Sequence, residues 1–294
     1  MIINGVPIRD TYAEAFDFLG TRVIVTADTL DWAMEAAREA VGKGTSIIGC
    51  GGEAGIEGEV KDTPDGRPGV SMLIFALDKE KLHDQLFGRV GMCVLTCATT
   101  SAFNGLKSED KVETGEMLRY FGDGYEYSEQ KNGATYWHVP MMDGEFVIEG
   151  TYGVADGIGG GNFIIMGKDK KACLDAAVKA VEAARKAPGV LLPFPRGVVR
   201  SGSKVGGVNY DFLPASTNHR LCPTIRDKVE DTEVPSGVTC VYEIVINGLN
   251  MEAVREAMRL GINAACIPGI AEITAGNYEG KLGKHHIHLH DVLK

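Results

Sequence analysis

One order of elements occurs twice along this chain and limits the folds open to it. In the first half a strand-like run, Thr21 to Ala27 (TRVIVTA), leads into LDWAMEAAREAVGKG, whose apolar residues recur at helical spacing. Asp28 or Thr29 can cap that helix, and Gly42 and Gly44 end it. Thr45 to Cys50 (TSIIGC) reads as the next strand. A long glycine-rich connection then runs through the turn TPDGRPG (Thr63 to Gly69) to a strand at Val70 to Leu77 and a helix at Asp78 to Leu95. In the second half Asn162 to Gly167 is a strand, Asp169 to Gly189 a helix with a Pro-Gly stop, and VLLPFP an edge strand limited by its prolines. After another long connection come the strand Val238 to Asn247, the helix Met251 to Leu260 and a return strand at Gly269 to Gly276. This split βαβ order predicts an α+β protein of two ferredoxin-like lobes, each an antiparallel sheet with helices on one face. Residues 110–161 fit neither repeat, so the lobes are expected to span 1–150 and 151–294.

Composition narrows the function classes. A formal net charge of -10 argues against a broad nucleic-acid-binding face. Seven cysteines, an odd number without a CxxC pair and mostly in apolar runs, read as reduced thiols of a cytoplasmic protein. The segment MIINGVPIRDTYAEAF has no uninterrupted apolar stretch of the secretory kind, and no apolar run approaches a membrane span.

Several motifs lead nowhere. GCGGEAG (Gly49 to Gly55) follows a strand, but a dinucleotide site needs a helix to begin at its glycines, and IEGEVKDTPDGRPG cannot supply one. GIGGGNF fails because a strand follows it. There is no phosphate-binding GxxxxGK[ST] loop and no GxSxG nucleophile elbow. In HHIHLH, His286, His288 and His290 share a face if extended, but same-face neighbours lie about 7 Å apart, too far for good chelation. No resident metal is expected. Cys222, near His219, leaves a covalent acyl-transfer route open, with a buried thiol as the simpler reading.

The anomaly is Glu243, a lone carboxylate in the apolar strand VTCVYEIVI. Alternation puts it beside Val241 and Val245, opposite Tyr242, Ile244 and Ile246. Desolvation there would favour the protonated acid, which can donate a hydrogen bond to an oxygen gaining charge. A partner arginine or an exposed sheet face would instead make it ordinary, and the strand alone leaves both readings open. Arg196, Arg200, Lys204, Lys281 and Lys284 lie in loops suited to carboxylate or phosphate groups, although such charges are usually solvated.

Seven stretches in order resemble formylmethanofuran–tetrahydromethanopterin formyltransferases over nearly the whole chain. They are INGVPIRDTYAEAF (Ile3 to Phe16), TPDGRPG (Thr63 to Gly69), CVLTCATTSAFNGL (Cys93 to Leu106), GGNF (Gly160 to Phe163), PFPRGVVRSGSKVGG (Pro193 to Gly207), VYEIVING (Val241 to Gly248) and AGNYEGKLGK (Ala275 to Lys284). The resemblance implies two ferredoxin-like lobes, a homo-oligomer (a tetramer built from dimers), and substrates in a cleft near a subunit interface. It also implies reversible formyl transfer between methanofuran and N5 of tetrahydromethanopterin, both acting as coenzyme substrates, with no prosthetic group. The glutamate of VYEIVING, here Glu243, is implied to be catalytic. Thr99, Thr100, Phe103, Asn104, Ser203, Lys204, Asn247, Asn277, Tyr278, Lys281 and Lys284 lie in the family-like loops and are the expected substrate contacts. The pattern departs at Ala98, where the family has proline, and at Glu279, where it has glycine. A subunit of a larger formyltransferase–hydrolase complex, or a non-enzymatic ligand-binding module of the same fold, would share most of these features.

Overall fold

The computed structural model describes residues 1–294, except the side chain of Ser203. The chain forms two compact units, Phe18–Gly157 and Met1–Asp17 with Ile158–Lys294. Where the sequence places 1–150 in the first lobe, the first seventeen residues instead pack with the second unit, and the change-over falls at 157/158. The cause is strand pairing. The first residues of β1 (Tyr12–Thr26) pair with a strand near the end of the chain, His286 opposite Glu14 and Ile287 opposite Ala13.

In the first unit β1 is followed by α1 (Leu30–Val41), β2 (Glu53–Val60), β3 (Gly69–Ala76), α2 (Lys79–Arg89) and β4 (Ser101–Asn104). The sheet order is β2-β3-β1-β4, antiparallel throughout. The helices start where side chains satisfy free amides: Thr29 Oγ1 accepts from Trp32 N at 3.4 Å and Asp78 Oδ1 from Lys81 N at 2.8 Å. One face of the sheet (Val23, Val25, Met72, Ile74) is buried with Ala36, Ala40, Leu82 and Leu86 of the helices. Residues 110–161, which fit no repeat, hold an added antiparallel meander, β5 (Tyr127–Lys131), β6 (Ala134–Met141) and β7 (Gly144–Glu149). Its β7 pairs parallel with β4.

TSIIGC is not a strand. Ile47–Cys50 forms a single helical turn, and the second strand lies beyond it in the glycine- and glutamate-rich stretch read as a loop. Tertiary pairing overrides propensity there. The strand aligns with fully buried β3, and its Glu57 is held by both Arg22 Nε and Nη2 at 2.7 Å, with Ser71 Oγ also donating at 2.7 Å.

The second unit contains β8 (Ala155–Gly167), α3 (Lys170–Ala184), β9 (Val190–Leu191), β10 (Cys240–Gly248), α4 (Met251–Ala265), β11 (Ile270–Thr274) and β12 (His285–His288). Its sheet order, β9-β10-β8-β11, again antiparallel, repeats that of the first. Asp169 and Asn250 cap the two helices. Ile244, Ile246, Phe163 and Ile165 are buried with Ala176, Ala177, Ala180, Val254, Ala257 and Met258. The glycines of GIGGGNF serve this packing. Gly160 takes φ 83° at a bulge in β8, and a Cβ on Gly161 would lie 2.3 Å from Val254 Cγ1 of the crossing helix. In the histidine tail the strand stops at His288, so His290 leaves the row, while Tyr12 stacks on His286 at 4.5 Å. Among the described residues no group of three or more His, Cys, Asp or Glu side chains could hold a metal ion. No helix is long and apolar enough to cross a membrane.

Candidate active site around Glu243

Glu243 sits at the centre of β10, opposite Ile164 of β8. Strand alternation sends Ile244 and Ile246 under the helices and Glu243 to the other face. That face is covered by the long connection 192–239, which packs Leu221, Val234 and Val238 on Ile164 and Met166. Val199 ties the covering chain to β10 beside the glutamate, in the plane of the sheet, exchanging two backbone hydrogen bonds with Glu243 at 2.8 and 3.2 Å. What remains beside the carboxyl is a pocket of about 80 Å³. Its apolar wall is Ile164, Val241 and Leu221, and its polar groups come from Asn162, Arg200, Asn218, Asn277 and Tyr278, with Cys222 at the lining. Burial alone pushes the Glu243 carboxyl up to about 7.

Opening beside the carboxyl depends on a glycine. A Cβ on Gly276 would stand 3.3 Å from Asn162 Oδ1 and 3.7 Å from Glu243 Oε1. Asn162 pins that backbone, accepting from Gly276 N at 2.6 Å and donating to Gly276 O at 3.1 Å. Tyr278 is the neighbouring acid. Burial first, then the nearby Glu243 and Glu14, raise its phenol above the usual range.

Of the sequence-selected contacts in this unit, Asn277 and Tyr278 share the pocket with Glu243. Asn247 is fully buried on the same strand and its Oδ1 accepts from Gly160 N at 3.0 Å, so it braces the β8 bulge. Lys204 donates to Ser216 Oγ at 2.9 Å and lines a separate cavity of about 410 Å³ with Tyr210, Leu213 and His219. The side chain of Ser203 lies outside the described residues. Lys281 and Lys284 are exposed and paired, Lys281 with Glu279 and Lys284 with Asp17 at 2.6 Å. Glu279 has φ 59°, a left-handed conformation that glycine adopts without steric cost.

Thr99, Thr100, Phe103 and Asn104 belong to the first unit. The chain turns sharply at Thr99 (φ 64°), whose N donates to Asp143 at 2.9 Å and whose O accepts from Arg67 at 2.5 Å. Thr100 is buried and donates to Val94 O at 2.5 Å, while Phe103 is buried with its ring centroid 6.1 Å from that of Tyr136. Asn104 Oδ1 accepts from Leu106 N at 3.1 Å and Gly153 N at 3.0 Å. Thr100 and Asn104 thus spend these polar atoms on the fold. Asn162, Ser201 and Asn218 join the pocket without being among the expected contacts, although Asn162 lies in GGNF and Ser201 in PFPRGVVRSGSKVGG.

A sheet-borne carboxyl raised by burial to about 7, beside a pocket lined with amide and hydroxyl groups, can present a protonated acid to an oxygen that gains charge, a chemistry that acyl-group transfer can use. Comparison with known proteins gives the same class. Residues 1–141 match the family described as "Formylmethanofuran-tetrahydromethanopterin formyltransferase", and 144–292 match "FTR, proximal lobe". The chain is 52% identical to the formylmethanofuran–tetrahydromethanopterin formyltransferases of Methanopyrus kandleri and Archaeoglobus fulgidus, over 99% of this chain and 100% of each relative. Among solved structures it is similar to the Methanosarcina barkeri enzyme (TM-score 0.94, 49% identity, covering 99% of this chain and 100% of that one). It is also similar to a chain of the formyltransferase/hydrolase complex of Methylorubrum extorquens, determined with methylofuran (TM-score 0.96, 45% identity, covering 100% and 99%). The protein belongs to the formylmethanofuran–tetrahydromethanopterin formyltransferase family.

Proposed function

We propose that this chain transfers a formyl group reversibly between formylmethanofuran and N5 of tetrahydromethanopterin, directly, within a ternary complex. N5 attacks the formyl carbon, the carbonyl electron pair moves to oxygen, and the protonated Glu243 carboxyl donates a hydrogen bond to that oxygen. Collapse of the tetrahedral intermediate breaks the bond to the methanofuran nitrogen. The proton lost from N5 ends on the leaving amine, and Glu243 leaves the cycle in the state in which it entered. Holding both substrates in register supplies the entropic part of the acceleration. The observation that carries this reading is the Glu243 carboxyl, raised by burial to about 7 beside an open pocket. Asn277 and Tyr278 are proposed as substrate contacts in that pocket. Lys204, Lys281 and Lys284 are proposed to meet anionic parts of the coenzymes from their loops.

The repeated strand order supports two ferredoxin-like lobes, with the meander β5–β7 as an insertion in the first. The proposal includes a cytoplasmic homo-oligomer, a dimer of dimers. Exposed Tyr120, Phe121, Tyr125 and Tyr127 support association of copies. The Methylorubrum extorquens likeness favours a second reading, in which the chain is the transferase subunit of a formyltransferase/hydrolase complex.

Mixing the purified protein with formylmethanofuran and tetrahydromethanopterin tests both. The expected result is N5-formylated pterin formed in step with loss of formylmethanofuran, only when both substrates are present. Absence of transfer would refute the activity, and a formyl-enzyme accumulating on Cys222 with one substrate alone would refute direct transfer. A hydrolase that co-purifies and releases formate would establish the second reading.

A further inference from the structure

A second glutamate of this unit, Glu14, is fully buried and has an opposite character to Glu243. Glu14 lies on β1 between Ala13 and Ala15, with 1% of its surface exposed. Its Oε2 accepts from Tyr278 N at 2.7 Å and Gly280 N at 2.9 Å, and its Oε1 from Leu282 N at 2.5 Å and from Gly283 N. Burial by itself would raise its pKa, but the backbone amides outweigh burial and hold it below the usual carboxylate range. An ionised, fully buried carboxylate saturated by backbone amides is an anion seated in a nest, and here the anion belongs to the protein itself.

The loop wound around it turns through the left-handed region at Glu279 (φ 59°), where a side chain is disfavoured, and at Gly280 (φ 73°), where glycine is at ease. It has little apolar surface of its own to hold it, since Glu279, Gly280, Lys281 and Leu282 are exposed. Yet it begins with Gly276, Asn277 and Tyr278, the wall of the pocket facing Glu243. The same strand grips that end as well. Glu14 N donates to Gly276 O at 3.3 Å, and Asn277 Nδ2 donates to Tyr12 O at 3.2 Å.

We propose that Glu14 is a positioning residue: its carboxylate, by gathering the amides of 278–283, sets Asn277 and Tyr278 where substrate meets them beside Glu243. This rests on reading the Glu243 pocket as the reaction site. Glu14 touches no substrate, and its role is exerted through the loop.

The test is steady-state kinetics with both substrates on three variants. Glu14→Gln puts an NH₂ group against amides that need an acceptor, Glu14→Asp keeps the charge, and Gly280→Ala disturbs the loop while leaving the buried charge in place. Glu14→Gln is expected to raise KM for at least one coenzyme by about tenfold, with kcat changed by less than about threefold. Glu14→Asp should recover part of that loss. Gly280→Ala should reproduce the KM rise, and it remains informative if Glu14→Gln fails to fold. An unchanged KM in Gly280→Ala, or in a folded Glu14→Gln, would overturn the proposal. So would losses that only follow the folded fraction, with kcat/KM per folded molecule unchanged. Failure of the underlying reading shows elsewhere, as parental turnover in Glu243→Ala, whatever the Glu14 variants do.

Discussion

Glu243→Ala is expected to lose about 10²–10³-fold in kcat, the usual effect of removing one well-placed oxyanion donor. KM should change little, because the interaction belongs to the transition state rather than to the bound substrates. Glu243→Gln keeps a neutral donor of the same length and should fall less, by roughly tenfold. The ordering matters more than either value. A carboxylate acting as a base would lose as much in Gln as in Ala, since an amide cannot take a proton. Single-turnover rates with both coenzymes saturating separate these cases. Equal losses in the two variants would assign Glu243 to proton abstraction, and no loss would remove it from the chemistry.

Gly153→Ala is expected to be among the most damaging substitutions in the first unit, although it adds one carbon. A Cβ there would lie 2.0 Å from Leu106 O, and that oxygen is backbone and cannot rotate away. Gly153 also donates to Asn104 Oδ1 at 3.0 Å and accepts from Thr21 Oγ1 at 2.7 Å, so a displaced chain breaks both bonds. Overpacking with loss of buried hydrogen bonds should cost about 3 kcal/mol or more. Denaturant unfolding checks this, and a midpoint unchanged from the parent would show that the chain relaxes around the methyl group.

The sequence was most legible where local chemistry and tertiary demand agree. The helices begin at Thr29, Asp78, Asp169 and Asn250, whose side chains cap them. Glu243 was visible because a single charge in an apolar strand conflicts with its neighbours, and such conflicts gather at functional sites. TSIIGC misled because its apolar, β-branched residues matched a strand, while the true strand is held by the Arg22–Glu57 pair and by β3, neither of them local. Asn104 was expected in a substrate loop, yet it ends strand β4 and its side chain accepts the amide of Leu106 two residues on and that of Gly153, the second of which no local spacing foretells. Glu14 lay inside a quoted motif without a visible role. Its partners are backbone amides more than 260 residues away, and backbone amides carry no residue identity to read.

The claim beneath the mechanism is that the Glu243 carboxyl holds its proton near neutral pH. Its folded pKa is about 7, above the ordinary carboxyl value of 4.5. Between those values the native protein therefore keeps a proton that the unfolded chain has lost, and the donor form disappears as pH rises through about 7. The direct measurement is an infrared pH titration of the protonated-carboxyl C=O stretch, parent minus Glu243→Gln. A difference band present at pH 6 that fades with a midpoint near 7 is the predicted result. A band absent at pH 6, or one lost with a midpoint near 4.5, would contradict the account, because the glutamate would then be an ordinary carboxylate at working pH.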